Sequence, residues 1–107
     1  MITRNVPPLN PGSSKWYYLL WSQAELGTGV TISSSDWGEI VSGAFVGTVP
    51  SGLTEAAVYA SGLTTGIKIS ASTVTEGVLY DLVNQITTSA GETLHETIRI
   101  EVSVEGH

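Results

Sequence analysis

Residues 79–104 read LYDLVNQITTSAGETLHETIRIEVSV, two runs of alternating apolar and polar positions on either side of Gly91. A period of two marks a half-buried strand. A three-residue loop, Ser89-Ala90-Gly91, joins two such strands as a type I turn closed by a left-handed glycine. In that register even-numbered residues face even-numbered residues: Thr88 faces Glu92, Ile86 faces Leu94, Leu82 faces Ile98, Tyr80 faces Ile100 and Val78 faces Val102. A slip of one residue would turn Thr, Arg and Glu side chains into the core. The even face is apolar except for Asn84 and Glu96, which the register sets opposite each other. They are predicted to form a structural pair at the rim of the core, the amide donating to the carboxylate across the strands. His95, the nearest titratable neighbour in sequence, points to the other face and gives Glu96 no catalytic partner.

The rest of the chain repeats the theme in shorter pieces. KWYYLLW (15–21) is an aromatic-rich strand, SQAEL makes one helical turn, and VTIS (30–33) is a second strand. SSSDWGE follows as a turn, with Asp36 bonding nearby amides. EIVSGAFVGTVP holds one or two short strands broken by Gly43, Gly47 and Pro50, and EAAVYAS (55–61) is either a strand or a helical turn. GIKISAS (66–72) alternates, with Ile67 and Ile69 on one face and Lys68 on the other. GLTTG (62–66) reads as a tight turn. About seven short strands with turn signals between them predict an all-β fold, a β-sandwich.

Both faces of KWYYLLW are apolar. A two-layer sandwich buries one face of each strand, so one set, Tyr17, Leu19 and Trp21 or Trp16, Tyr18 and Leu20, belongs in the core and alternation alone does not choose between them. The odd set ends beside the following loop, which favours Trp16, Tyr18 and Leu20 as the outward apolar patch, of the kind that marks an interaction site. Residues 1–14 have a different character, with Pro7, Pro8 and Pro11 among Asn, Gly and Ser. They predict an extended, polyproline-like arm preceding a domain over 15–107. The expectation is an arm that orders against a neighbouring subunit, with Val6, Pro7, Pro8, Leu9 and Pro11 adding to the assembly interface.

Composition narrows the function. The 107 residues are 41% hydrophobic and 13% charged, a packed domain rather than a disordered chain. The net charge is −6, with Arg4, Lys15, Lys68 and Arg99 the only cations, which argues against nucleic acid and acidic lipid as partners. No apolar run is long enough to span a membrane, and the first residues hold no secretory h-region. Without cysteine there is neither disulfide nor thiolate chemistry, and the fold suits a reducing cytosol. Only two histidines, His95 and a mobile terminal His107, are available, and neither a metal-ligand spacing nor a nucleophile motif occurs, so no metal, cofactor or enzyme activity is expected. Trp16, Trp21 and Trp37 read as core or subunit anchors; the alternative is stacking on sugar rings, as in a carbohydrate-binding module.

ISSSDW (32–37) followed by GVLYDLVNQITTSAGETLHETIRIEV (77–102) resembles small immunoglobulin-like virion proteins of tailed bacteriophages, the tail-fibre adaptors and related minor structural proteins. The matching positions are Ser35-Asp36-Trp37 after the second strand, then Tyr80, Asn84, Ile86, Thr87, Thr88 and Gly91, with Trp21 ending the aromatic strand. The resemblance spans about residues 16–104, its specific part being the last third. It implies an immunoglobulin-like β-sandwich without cofactor, joining fibre to tail, that works with other virion proteins as a homo-oligomer. Such a protein is made in the host cytoplasm and located in the virion. A capsid decoration protein would share the same fold.

Overall fold

The computed structural model describes residues 3–71 and 77–103. The protein is an immunoglobulin-like sandwich of two sheets. Its elements are β1 (Thr3–Asn5), β2 (Ser14–Leu20), α1 (Gln23–Leu26), β3 (Ile32–Val41), β4 (Ala44–Val46), β5 (Leu53–Ser61), β6 (Thr64–Ala71), β7 (Leu79–Thr88) and β8 (Thr93–Glu101). One sheet has the order β1-β8-β7-β3-β4 and the other β2-β6-β5. The chain changes sheet between β1 and β2, β2 and β3, β4 and β5, and β6 and β7. The core strands β3-β7-β8 and β2-β6-β5 thus stand where an immunoglobulin domain has C-F-G and B-E-D, and buried Trp37 sits in the C-equivalent strand. Among the described residues no helix is long and apolar enough to cross a membrane; His107 lies outside them.

The β7–β8 hairpin has the expected register. Asn84 is paired with Glu96, Ile86 with Leu94 and Leu82 with Ile98. Gly91 turns at φ 84°, with Gly91 N donating to Thr88 O and Thr88 N to Glu92 O. Its even face supplies Leu82, Ile86, Ile98 and Ile100 to the core, against Tyr17, Leu19, Trp21, Ile67 and Ile69 from the other sheet.

Two local expectations give way to tertiary structure, and the open choice at EAAVYAS is decided. SSSDWGE is strand, not turn: β3 runs through it, a bulge at Ser33 absorbs the irregularity, and Trp37 pairs with Asn84 of β7. Serine favours turns by bonding to its own backbone, but Ser33 Oγ donates instead to Thr87 O at 2.9 Å. EAAVYAS is strand. The Pro-rich arm is not a free extension awaiting a subunit. β1 pairs in parallel with β8, and a further parallel bridge joins Leu9 to Val102. Pro7 and Pro8 have no N–H, and the donors to β8 are the residues on either side of them, Val6 to Arg99 O and Leu9 to Glu101 O. Tyr17 Oη donates to Pro7 O at 2.9 Å, and Gly12 N donates to Ala71 O, carrying the arm from one sheet to the other. Leu9 is fully buried and Val6 packs against the core, so both are removed from the candidate interface.

Asn84 is a further correction. It is not at the rim but fully buried between the sheets. Its two amide hydrogens go to Ser35 Oγ and Asp36 O, both at 2.9 Å, on β3 of its own sheet rather than to the Glu96 carboxylate. Its Oδ1 accepts from Trp21 Nε1 at 3.1 Å and from Thr65 Oγ1 at 2.7 Å, both from the opposite sheet. One side chain thus satisfies its full hydrogen-bonding capacity and ties the two layers. Glu96 remains its cross-strand neighbour, also buried.

Two stability measurements follow. Asn84→Ala removes the acceptor for Trp21 and Thr65, and each donor left unsatisfied costs about 1–3 kcal/mol; urea unfolding should show a loss of at least that size. Leu9→Ala should cost about 2–5 kcal/mol by the same assay, whereas an arm that docks only on another subunit would leave the isolated chain unaffected.

Candidate binding surface

The outward face of the β2-β6-β5 sheet carries the exposed aromatic residues. Alternation along β2 sends Tyr17 and Leu19 into the core and leaves Tyr18 56% and Leu20 66% exposed, with Trp16 half-buried beside them. The strip is ordered rather than loose. The Trp16 and Tyr18 rings stack with centroids 5.6 Å apart and planes 8° from parallel. Tyr59 of β5, itself 47% exposed, meets Tyr18 edge-on at 6.2 Å. Tyr18, Gly66 and Tyr59 form one row across the three strands. A Cβ at Gly66 would lie 2.6 Å from the edge of the Tyr18 ring, so the ring closes on the glycine backbone and the bare position is what lets it do so. Lys68 is in the next row, paired with Trp16. Neither β2 nor β6 contains an acidic residue, and Glu55 of β5 is paired with inward-facing Ile69, so the outward face of this sheet is aromatic and weakly basic in an acidic protein.

The sites expected from sequence therefore separate. Trp16, Tyr18 and Leu20 form one outward strip; Val6 and Leu9 belong to the core; Pro7 is exposed, with Pro8 and Pro11 half-buried along the arm. Trp21 and Trp37 are buried. Tyr59 was not anticipated, because EAAVYAS shows no clear period and its place beside Tyr18 depends on β6 lying between them.

The opposite sheet presents a different feature. The β3–β4 hairpin turns at Ser42 and Gly43, both at positive φ as a type I′ turn requires. It curls over the outer face, bringing the Phe45 ring to 5.7 Å from that of His95. The approach is close enough that a Cβ on Gly38 would overlap Val46 O. Beside the hairpin is an open groove of about 530 Å³, lined by Glu39, Ile40, Pro50, Leu79, Asp81 and Val83 among others. Asp81 and Arg99 form a bidentate surface pair at 2.8 and 3.1 Å. Its hydrogen bond to Arg99 holds the Asp81 carboxyl below its usual range, and the Arg99 charge acts in the same direction. Among the described residues no group of three or more His, Cys, Asp or Glu is placed to hold a metal ion.

No protein-family model and no curated protein matches this chain. Two solved structures do, an endo-fucoidan hydrolase from glycoside hydrolase family 107 and a variant of that enzyme, at 20% and 19% identity with a TM-score of 0.55 for each. Each match covers 92% of this chain and 12% of the hydrolase chain, so the protein spans only a small part of that enzyme's length. The likeness is one of fold.

Two substitutions probe these surfaces. Gly66→Ala should lift Tyr18 off the sheet and break the Trp16–Tyr18 stack while the domain stays folded, read as a loss of ring-current shifts for Tyr18 and Tyr59. For the Asp81–Arg99 pair the linkage has a definite sign. A carboxylate with a lowered pKa contributes stability above its unfolded pKa and loses it as pH falls through the folded value. The small stability difference between wild type and Asp81→Asn should be present at neutral pH and close in acid, below the ordinary carboxylate range. A gap that widens in acid would contradict the pairing.

Proposed function

We propose that this chain is a non-enzymatic structural protein of a tailed-bacteriophage virion, an adaptor joining fibre to tail, and that the outward strip of Trp16, Tyr18 and Leu20 with Tyr59 is where it docks. The observation that carries the reading is the strip itself. Large, rigid aromatic side chains held in a fixed arrangement and left in water are unusual on a monomer and are the residue types that anchor protein interfaces. The resemblance of Ser35-Asp36-Trp37 and of the β7–β8 hairpin to tail-fibre adaptors supplies the class of partner, other virion proteins, and the place, the virion assembled in the host cytoplasm. Capsid decoration is the same proposal at a different location on the particle, and imaging of intact virions distinguishes the two.

A second reading rests on one geometric feature. The Trp16 and Tyr18 rings are stacked nearly parallel on the flat side of a sandwich, with Tyr18 open to solvent, an aromatic surface against which the apolar face of a sugar ring can stack. The hydrolase that shares the fold is named for fucoidan, but the likeness reaches no further than the fold. On this reading the chain is a carbohydrate-binding module.

The experiment is incorporation of Tyr18→Lys and Leu20→Glu into particles, with thermal melts confirming that each variant folds. Docking through this face predicts that both are depleted from purified virions by about tenfold or more. Wild-type incorporation of both variants would refute it. Binding on a glycan array that is lost in Tyr18→Lys would favour the sugar reading instead.

A further inference from the structure

The three-stranded sheet ends on β2, and the free side of β2 has a defined hydrogen-bonding phase. In an immunoglobulin sandwich the place beside this strand is taken by the first strand of the fold. Here that strand is committed to the other sheet, where β1 pairs with β8. Among the described residues no strand occupies the vacated side. Trp21 N donates to Leu63 O at 2.8 Å, so the Trp21–Leu63 row is a hydrogen-bonded one. Rows alternate along an antiparallel pair. The Leu19–Thr65 and Tyr17–Ile67 rows are therefore bonded to β6, while in the rows of Leu20, Tyr18 and Trp16 the β2 backbone points its N–H and C=O away from β6. The three residues with outward side chains thus also carry the unpaired edge of the backbone.

The sheet edges are not equivalent. β5, at the other side of the same sheet, carries Glu55 and a bulge between Glu55 and Ala57, two devices that discourage strand addition. β4 has only three residues. β2 has seven residues, five of them large and aromatic or aliphatic, with no proline, acidic residue or bulge. Charge points the same way. Copies of a chain with net charge −6 repel one another, yet β2 and its neighbour β6 contribute only Lys15 and Lys68. Two copies can meet along β2 without bringing carboxylates on these strands together.

We propose that β2 is the docking edge for a second copy of this chain, paired antiparallel with its own β2 and centred on Tyr17 or on Tyr18. Even-numbered residues then face even-numbered residues, so the free backbone groups of Trp16, Tyr18 and Leu20 bond to those of the partner. Lys15, the one charge on the strand, faces the partner's Leu19 or the partner's Trp21 rather than another lysine. The two sheets become one of six strands, and the two aromatic strips become one continuous surface. This deepens the assembly reading of that face by naming a first partner. A seven-residue edge buries less than the roughly 1,200–2,000 Å² of a stable standard interface, so the pair is weak in dilute solution and is reinforced where several copies are held on a symmetric platform.

The test is amide exchange by NMR across a concentration series on the wild-type protein, with sedimentation on the same samples. The amides of Tyr17 and Leu19 are protected at every concentration. Those of Trp16, Tyr18 and Leu20 exchange freely in dilute samples and slow by about tenfold or more toward millimolar protein as a dimer appears. Tyr18→Lys should abolish both effects. Leu20→Pro should do the same, because the N–H it removes faces the free side and is not used in pairing with β6. A strictly monomeric protein, exchange at these three amides that ignores concentration, or dimerisation that survives both variants would each overturn the proposal. Loss of virion uptake in variants of an always monomeric chain would refute self-pairing while leaving docking on other virion proteins intact.

Discussion

The structure depends on the hydrogen bonds of one buried amide. Asn84 lies between the sheets, donates to β3 beside it and accepts from Trp21 and Thr65 across the core. A polar group in that position is tolerable only when every donor and acceptor is satisfied. The requirement is directional, which apolar packing is not. It specifies where the end of β2 and the start of β6 must lie relative to β7, and so fixes the two layers in one relative position. Without cysteine, no disulfide is available to join the sheets.

The surface follows from that placement. Trp21 is held inward by its bond to Asn84, and the period of the strand then sends Leu20, Tyr18 and Trp16 outward. On β6, Thr65 is held inward, so the next residue faces out. That residue is Gly66, which accommodates the Tyr18 ring. The buried amide and the exposed aromatic strip are thus two consequences of one register. The arm completes the arrangement by joining β8, which closes the far edge of the larger sheet and leaves β2 as an edge of the smaller one.

Much of this was legible in the sequence where a period of two ran long enough. The β7–β8 register, the turn at Gly91 and the division of KWYYLLW into two opposite-facing triplets all follow from alternation together with the cost of burying charge. The rest was hidden for specific reasons. The arm reads as free because proline dominates its composition, while its pairing depends on the N–H groups of Val6 and Leu9 on either side. SSSDWGE reads as a turn because serine and aspartate favour local bonds, an effect outweighed by burial of Trp37. Asn84 reads as half of a pair with Glu96 because cross-strand neighbours can be counted from a hairpin. Its actual acceptor contacts come from residues 63 and 19 positions away in the sequence.

The central claim is that the outward strip on β2 is a contact surface in the assembled particle. The most direct measurement replaces Tyr18 with a photo-reactive phenylalanine derivative, which keeps an aromatic ring at that position, and irradiates intact virions. The account predicts an efficient cross-link from position 18 to a second copy of the chain or to another virion protein, and little from the same group at Thr87 on the other sheet. No cross-link at position 18, together with efficient cross-linking at Thr87, would contradict it.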